Sequence, residues 1–419
     1  MTTPKLRNDC FALPPGVDWT PVDTALGLLR DRLTPVTGTE QVPAMRAGGR
    51  ILAADITAAT AHPPYANAAV DGYGFAHGTL PDANTITLPL HPGRAAAGAP
   101  FDGTVPPGSA VRILTGARIP EGVDTVILQE DVTELGDAIR FEAGLDQGAN
   151  TRPRGEDIQP GAPLLARGRK LLPPDLAVLA SAGVGEVGVH SPLRVAVLST
   201  GDELAPDGAR AAEGQIPDAN RPMLCDLLRR WGHRVVDLGQ ASDDRADVMA
   251  RLDRAATQAD ALLTTGGASA GDEDHISAAL TQHGSVVSWR VALKPGRPLA
   301  LGLWRGLPVF GLPGNPVAAF VCSLVFARPA LSVLAGGHWT QPQAFPVPAA
   351  FTKRKKPGRR EYLRARLDPQ GHARTFTSEG SGRVSGIVWA TGLVELPDGA
   401  QDITPGTPVR YLPYASFGL

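Results

Sequence analysis

From residue 193 onward, apolar runs of strand length alternate with helical patterns, and this alternation restricts the fold more than any other feature. "LRVAVLSTGDEL" (193–204) reads as a buried strand ending in a glycine turn. "NRPMLCDLLRRWG" (220–232) reads as a helix, with Asn220 as N-cap and Gly232 as stop. "HRVVDLG" is a strand, and "SDDRADVMARLDRAATQ" is a helix whose acidic start suits the helix dipole. "ADALLTTGG", "VVSWRVAL" and "PLALGLW" continue as strands, and "LPVFGLPGNP" is a strand entering a helix that runs to about Ala335. Strands and helices in this order predict an α/β domain with a mainly parallel sheet. Ligands of such sheets bind outside the carboxyl ends of the strands.

The flanking texture differs. Residues 40 to about 160 carry short apolar runs ("TITLPL", "AVRILTG", "DTVILQE", "AIRFEA") between Gly and Pro turns, as in a β-rich domain. A helix near the N terminus follows Asp23 or Thr24, and a second starts at Pro174 and stops at Gly183. Beyond about 340, "AFPVPAAF", "EYLRARL", "ARTFTSEG" and "TPVRYLPY" predict a small β-barrel or sandwich. A chain of 419 residues exceeds one compact core, so several domains are expected.

Four loops of the α/β region follow predicted strands and are expected on one sheet edge. They are "STGDEL" (Thr200, Gly201, Glu203), "TTGGASAGDEDH" (Gly266, Gly267, Ser269, Asp274), "LKPGRP" (Lys294, Arg297, Pro298) and "GLPGNP" (Gly314, Asn315, Pro316). Their glycines permit close backbone approach to a ligand. Asn315 and Pro316 read as an N-cap and N1 pair, whose following amides suit a phosphate. Carboxylates beside a phosphate repel it unless a cation lies between, so Mg²⁺ is expected. Each motif alone is also what an ordinary loop shows; four on one edge favour a site. The basic run "TKRKKPGRREYLRAR" reads by itself as a solvated face.

Other classes are disfavoured. The formal net charge of −2 and the 5% aromatic content do not indicate a nucleic-acid surface. No window approaches the roughly 20 apolar residues of a membrane span, and the N terminus lacks a signal-peptide core. Cys10, Cys225 and Cys322 are too scattered for a zinc site or a disulfide framework, which is consistent with a cytoplasmic location.

Taken together, the motifs resemble the molybdopterin molybdenumtransferase family (MoeA-type, with the E domain of gephyrin as eukaryotic relative). The matching stretches include "AVDGYGF" (69–75), "RILTGARIPEGVDTVI" (112–127), "RPRGEDI" (152–158), the four loops above, "KKPGRREYLRA" (355–365) and "GLVELP" (392–397), in the family's order. The resemblance implies four domains. Residues 1–49 and 159–190 would form a discontinuous N-terminal dimerisation domain, 50–158 an inserted β-rich domain, 191–337 a MogA-like pterin-binding α/β domain, and 338–419 a C-terminal β-barrel.

It also implies the activity: insertion of molybdate into adenylylated molybdopterin with release of AMP, dependent on Mg²⁺. Asp274, Glu203, Asp71, Thr115 and Asp157 fall on its catalytic positions, and Glu203 and Asp274 on its metal positions. Thr200, Gly201, Asp244, Gly266, Gly267, Gly314, Asn315 and Pro316 fall on its pterin-nucleotide positions; either Asp243 or Asp244 faces the site. Ser269, Lys294, Arg297, Pro298, Arg359 and Ser381 fall on its molybdate positions, while Lys353 to Lys356 keep the solvated reading. A homodimer with the site at the subunit interface is implied, as is contact with other cofactor-synthesis proteins. His275 and Arg290 depart from the Tyr and Lys usual there. The alternatives are a MogA/CinA-like nucleotide pyrophosphatase, which would lack "AVDGYGF" and "RILTGA", and a pterin-binding scaffold without insertase activity.

Overall fold

The computed structural model describes residues 19–205, 210–266, 275–296 and 298–419. They divide into two compact units, residues up to 40 with 190–419, and residues 41–189.

In the first unit, the alternating elements form β1 (Arg194–Thr200), α1 (Asn220–Trp231), β2 (Arg234–Ala241), α2 (Arg245–Gln258), β3 (Ala261–Thr265), α3 (His275–His283), β4 (Ser285–Arg290), β5 (Pro298–Trp304) and β6 (Leu307–Leu312). The sheet order is β2-β1-β3-β6-β5-β4. Strands β2, β1, β3 and β6 run parallel, and β5 and β4 add an antiparallel edge. Leu198, Leu238, Leu252, Leu262, Ile276, Trp304 and Val309 fill one face of this domain. Burial on both faces explains why the parallel strands read as continuous apolar runs rather than alternating ones.

Register sets the site. Ser199 lies opposite Thr265, and Thr265 opposite Leu312. Strands β1, β3 and β6 therefore end level, and the loops after them leave the same edge side by side. After β6, Asn315 is the N-cap and Pro316 opens a 19-residue helix, α4 (Pro316–Leu334), with a π turn at Ser323–Ala327. By length and composition α4 could cross a membrane, contrary to the absence of any such window expected from sequence, but 78% of its apolar window is buried inside the protein. It is a core helix.

The C-terminal domain contains a six-stranded sheet, including Arg360–Leu367, Gly392–Leu396 and Pro408–Pro413, and a separate ribbon of Lys353–Lys355 with Gln401–Ile403. Leu363, Val394, Leu396, Ile403, Val409 and Tyr411 pack its core. One edge strand of this sheet is Leu293–Lys294, which runs parallel to Arg360–Glu361 and follows directly from the α/β domain. The N-terminal helix Val22–Arg32 also belongs to this unit. Its Asp23 accepts from Arg360 Nη1 and Nη2 at 2.6 and 2.7 Å. Residues 19–40 thus group with the α/β and C-terminal domains rather than with 159–190.

The second unit has three apolar clusters, two of them larger than the third, which gathers around Ile113 and Val126. Ala44, Leu52 and Ile56 pack with Leu165, Leu171, Leu179 and Val187, joining the segments before and after the β-rich stretch. Tyr73, Phe75, Ile86, Leu88, Ile127, Ile139 and Phe141 fill the other large cluster, in a six-stranded sheet containing all four strands expected there. In its central strand Gly72–Phe75, a Cβ on Gly72 would lie 1.8 Å from the carbonyl oxygen of Ile127. That clash is with backbone and no rotamer relieves it. Gly72→Ala is expected to cost about 2–4 kcal/mol, read as a lower denaturant midpoint for unfolding of this unit; an unchanged midpoint would contradict the packing described.

Candidate active site

A cleft of about 540 Å³ opens at the carboxyl ends of β1, β3 and β6, walled on the opposite side by the C-terminal domain. Thr200, Glu203, Thr265 and Gly266 line it from the first two loops. Lys294, Gly314 and Asn315 enter from the later loops, and Arg359 and Ser381 from the C-terminal domain. The expected clustering of separate loops therefore holds for these described residues. Gly267, Ser269, Asp274 and Arg297 lie outside the described residues; Pro298 opens β5.

Two glycines are dictated by geometry. Gly201 has φ +135°, and a Cβ there would meet the Glu203 carboxylate at 2.1 Å. Gly266 has φ +82°, and a Cβ would lie 2.4 Å from the Thr200 carbonyl oxygen. At Gly266 the two loops approach at a separation that only hydrogen at Cα permits, whereas at Gly201 it is the positive φ that favours glycine. The carboxylate of Glu203 thus packs over the Gly201 backbone while remaining exposed on the cleft.

The acidic pair of α2 separates by role. Asp243 Oδ2 accepts from the Asp202 amide at 3.1 Å, and Asp202 Oδ1 accepts from the Asp243 amide at 3.0 Å. Asp244 is instead the N-cap of α2, accepting from the Asp247 amide at 3.2 Å. Asp243 therefore braces the "STGDEL" loop, and Asp244 satisfies a helix end. At α4, Asn315 makes no side-chain cap bond, and the Val317 amide donates to the Ser381 carbonyl at 3.0 Å. One of the first-turn amides expected to serve a phosphate is thereby used to seat the Ser381 loop.

Sequence reasoning missed several cleft residues. Asn220 lies inside α1 after its N-cap Ala219, and its Nδ2 donates to the Gly314 carbonyl at 2.7 Å. Its buried Oδ1 has no partner among the described residues, which leaves a buried acceptor at the cleft wall. The helix-cap reading of Asn220 hid this, since only the tertiary fold brings Gly314 to it.

The basic run is a solvated face only in part: Arg354 and Lys356 are exposed as expected, and other members are not. The Lys355 ammonium is buried and donates to the carbonyls of Lys356, Asp398 and Gly399 at 2.8, 3.2 and 2.9 Å. Burial lowers its pKa. Lys353 joins Lys294, Glu361 and Glu379 in an ion-pair group. Arg364 is buried, stacks 5.1 Å from the Phe376 ring, and donates to the carbonyls of Arg383, Ser378 and Gly380. Burial lowers the Arg364 pKa as well. One guanidinium thus gathers three carbonyls of the loop that carries Ser381.

The second unit holds the remaining expected residues. Gly72 lies opposite Ile113, which sets Asp71 beside the turn at Thr115. Asp71 Oδ1 accepts from the Thr115 amide at 2.6 Å and from its hydroxyl at 2.7 Å. The amide contact, then the hydroxyl, hold the Asp71 carboxyl below its ordinary value. Asp157 is exposed, and its amide donates to the His62 carbonyl at 3.0 Å.

A glycine-lined cleft carrying Lys294 and Arg359, at the carboxyl edge of a mainly parallel sheet, has the placement of an α/β enzyme's ligand site. Residues 20–183 match the MoeA N-terminal region (domain I and II), 196–333 the family described as "Probable molybdopterin binding domain", and 346–414 the MoeA C-terminal region (domain IV). The chain is 36% identical to a molybdopterin molybdenumtransferase of Haemophilus influenzae, over 94% of this chain and 98% of that protein. It is 34% identical to one of Synechococcus elongatus, over 88% and 93%. A crystal structure of the molybdopterin biosynthesis MoeA protein from Pyrococcus horikoshii OT3 superposes with a TM-score of 0.82 at 29% identity, covering 95% of this chain and all of that one. The chain belongs to the molybdopterin molybdenumtransferase family, whose members are transferases.

Two outcomes follow from this geometry. Arg364→Lys keeps the charge but loses the fork, so amide exchange at Val317 should rise about tenfold as the Ser381 loop loosens. For Asp71 the folded pKa is depressed, so its contacts with Thr115 are complete above the unfolded value, near 3.8, and are lost as pH falls through the lower folded value. An NMR titration of the Asp71 carboxyl should give a midpoint below 3.8; a midpoint at or above it would contradict the hydrogen bonding.

Proposed function

We propose that the protein inserts molybdate into adenylylated molybdopterin and releases AMP. The observation that carries this reading is the shared cleft of the "STGDEL", "TTGG", "LKPG" and "GLPGN" loops with Arg359 and Ser381, in a chain of this family. The pterin nucleotide brings two linked phosphates, and molybdate is a tetrahedral dianion. Lys294 and Arg359 supply opposite charge, and glycine turns at 201 and 266 let the backbone approach the nucleotide. Lys294, Arg359 and Ser381, with Ser269, Arg297 and Pro298, are the molybdate side. Thr200, Gly201, Gly266, Gly267, Gly314, Asn315 and Pro316, with Asp244, are the pterin-nucleotide side.

The donors suit Mg²⁺. Glu203 is the carboxylate among the described cleft-lining residues, and no group of three or more potential ligands occurs among the described residues. Mg²⁺ commonly takes one or two carboxylates together with substrate phosphates rather than an all-protein cage. Glu203 and Asp274 would hold it, and bound there it would offset charge on the phosphate oxygens. Asp71, Thr115 and Asp157 belong to this reading as residues offered by the second subunit of a homodimer. Buried free thiols at Cys225, pushed up to about 11, and Cys322, also pushed up by burial, suit a reducing cytoplasm. Hand-over of the nucleotide from another cofactor-synthesis protein belongs to the same reading. A pyrophosphatase built on the α/β domain alone is disfavoured by the match over residues 20–183.

The purified protein, given molybdate, Mg²⁺ and adenylylated molybdopterin, should release AMP and molybdenum-loaded cofactor in equal amounts. AMP release without molybdenum incorporation would reject the insertase reading. Glu203→Gln and Asp274→Asn should each lower kcat by about 10²-fold with unchanged melting. Mixing inactive Asp71→Asn and Lys294→Ala proteins should restore part of the activity through hybrid dimers; no recovery would reject the shared site.

A further inference from the structure

Lys294 does not face the cleft as an isolated cation. Its ammonium lies 2.5 Å from Glu379 Oε2 and 3.7 Å from Glu361 Oε2. Lys353 contacts Glu379 through the other carboxylate oxygen, and Glu361 Oε2 at 3.1 Å. The four groups close a ring in which charges alternate: Lys294, Glu379, Lys353, Glu361. Its formal charge is zero. Three members are largely buried, with side-chain exposures of 12% for Lys294, 14% for Lys353 and 7% for Glu361, whereas Glu379 is 40% exposed. The ring spans both domains, since Lys294 comes from the edge strand and the others from the C-terminal domain.

The environment fixes the protonation of its outer member. Burial pushes the Glu379 carboxyl up, but the two lysines outweigh it and hold the group below its ordinary value. Lys353 is pushed down by burial and raised further by Glu379 and Glu361. Each oxygen of Glu379 holds a different lysine. A shift of Lys294 from Glu379 toward an incoming anion therefore strands neither partner, because Glu379 keeps Lys353 and Glu361 still backs Lys294. Glu379 also sits two residues before Ser381, in the loop whose carbonyls Arg364 gathers.

We infer that Glu379 is a positioning residue that sets how much of the Lys294 charge an oxyanion in the cleft receives, by competing with that oxyanion for the ammonium while Lys353 anchors it. The inference rests on the reading that Lys294 meets the oxyanion substrate. It makes Glu379 an attenuator: it keeps Lys294 ordered before the anion arrives and limits the affinity once it is bound. Glu379 itself does not line the cleft and acts only through Lys294, so its effect lies in oxyanion affinity rather than in chemistry.

Neighbours in the ring should then act with opposite sign. The test is titration of the full-length protein with sodium molybdate, with sulfate as comparator, by calorimetry at two salt concentrations. Glu379→Gln keeps the shape and removes the competing charge, so molybdate should bind roughly fivefold tighter, with a steeper loss at high salt. Lys353→Met leaves Glu379 with Lys294 as its remaining lysine, so molybdate should bind roughly fivefold weaker. Asp402→Asn, an equal charge change at a position 80% exposed, should leave the affinity unchanged. Weaker binding in both ring variants would reduce the ring to a structural brace and overturn the inference, whatever their melting temperatures. The separate variant Lys294→Ala tests the underlying reading: unchanged molybdate affinity there rejects Lys294 as the oxyanion ligand, independently of the result for Glu379.

Discussion

The parallel pairing of Leu293–Lys294 with Arg360–Glu361 is the contact on which the site depends. Two residues leave the α/β domain and become an edge strand of the C-terminal sheet, and the Arg360 amide donates to the Ala292 carbonyl at 2.9 Å. Main-chain hydrogen bonds are shorter-ranged and more directional than a packed apolar face. They set Lys294 within reach of Glu379 and Glu361, and they bring Arg359 and Ser381 across from the strand ends. A cleft between two merely touching domains would tolerate sliding. Here the two walls share a ladder.

Much of the α/β domain was legible because its signals are local. Apolar runs, the Gly232 stop and the Asn315-Pro316 start each report on a few neighbouring residues. The level ends of β1, β3 and β6 then follow from sheet register, and the cleft follows from those ends. The resemblance supplied what locality could not, including the placement of Arg359 and Ser381 on the cleft. The domain division was only partly readable. Leu52 and Leu171 share a core although a whole β-rich sheet separates them in sequence, while the helix at Val22–Arg32 belongs elsewhere through the pairing of Asp23 with Arg360.

The solvated reading of the basic run holds for Arg354 and Lys356 and fails elsewhere, because charge is a property of composition and burial is a property of the fold. Lys355 finds three carbonyls, Arg364 three carbonyls and an aromatic ring, and Arg360 the carboxylates of Asp23 and Asp398. A cation desolvated without such partners would cost several kcal/mol. Apart from the adjacent Lys356 carbonyl, their partners lie from roughly a dozen to several hundred residues away in the chain, so no short window of sequence reveals them. Asp244 shows the converse: an exposed acid, one of whose carboxylate oxygens the fold uses to cap a helix.

Helix α4 is apolar enough to resemble a bilayer segment, and part of what keeps it from water comes from outside its own domain. Phe320 meets the Tyr414 ring edge-on at 5.4 Å, Arg328 lies 5.9 Å from the Phe417 ring, and the Trp231 indole donates to the Phe417 carbonyl at 2.8 Å. An excised α/β domain ending after α4 would carry every strand and helix of its fold and still present a greasy stripe. Such a fragment would self-associate or partition onto lipid and detergent. The C-terminal domain therefore also covers part of the helix whose first turn shapes the cleft, and the boundary between the two is a poor place to cut.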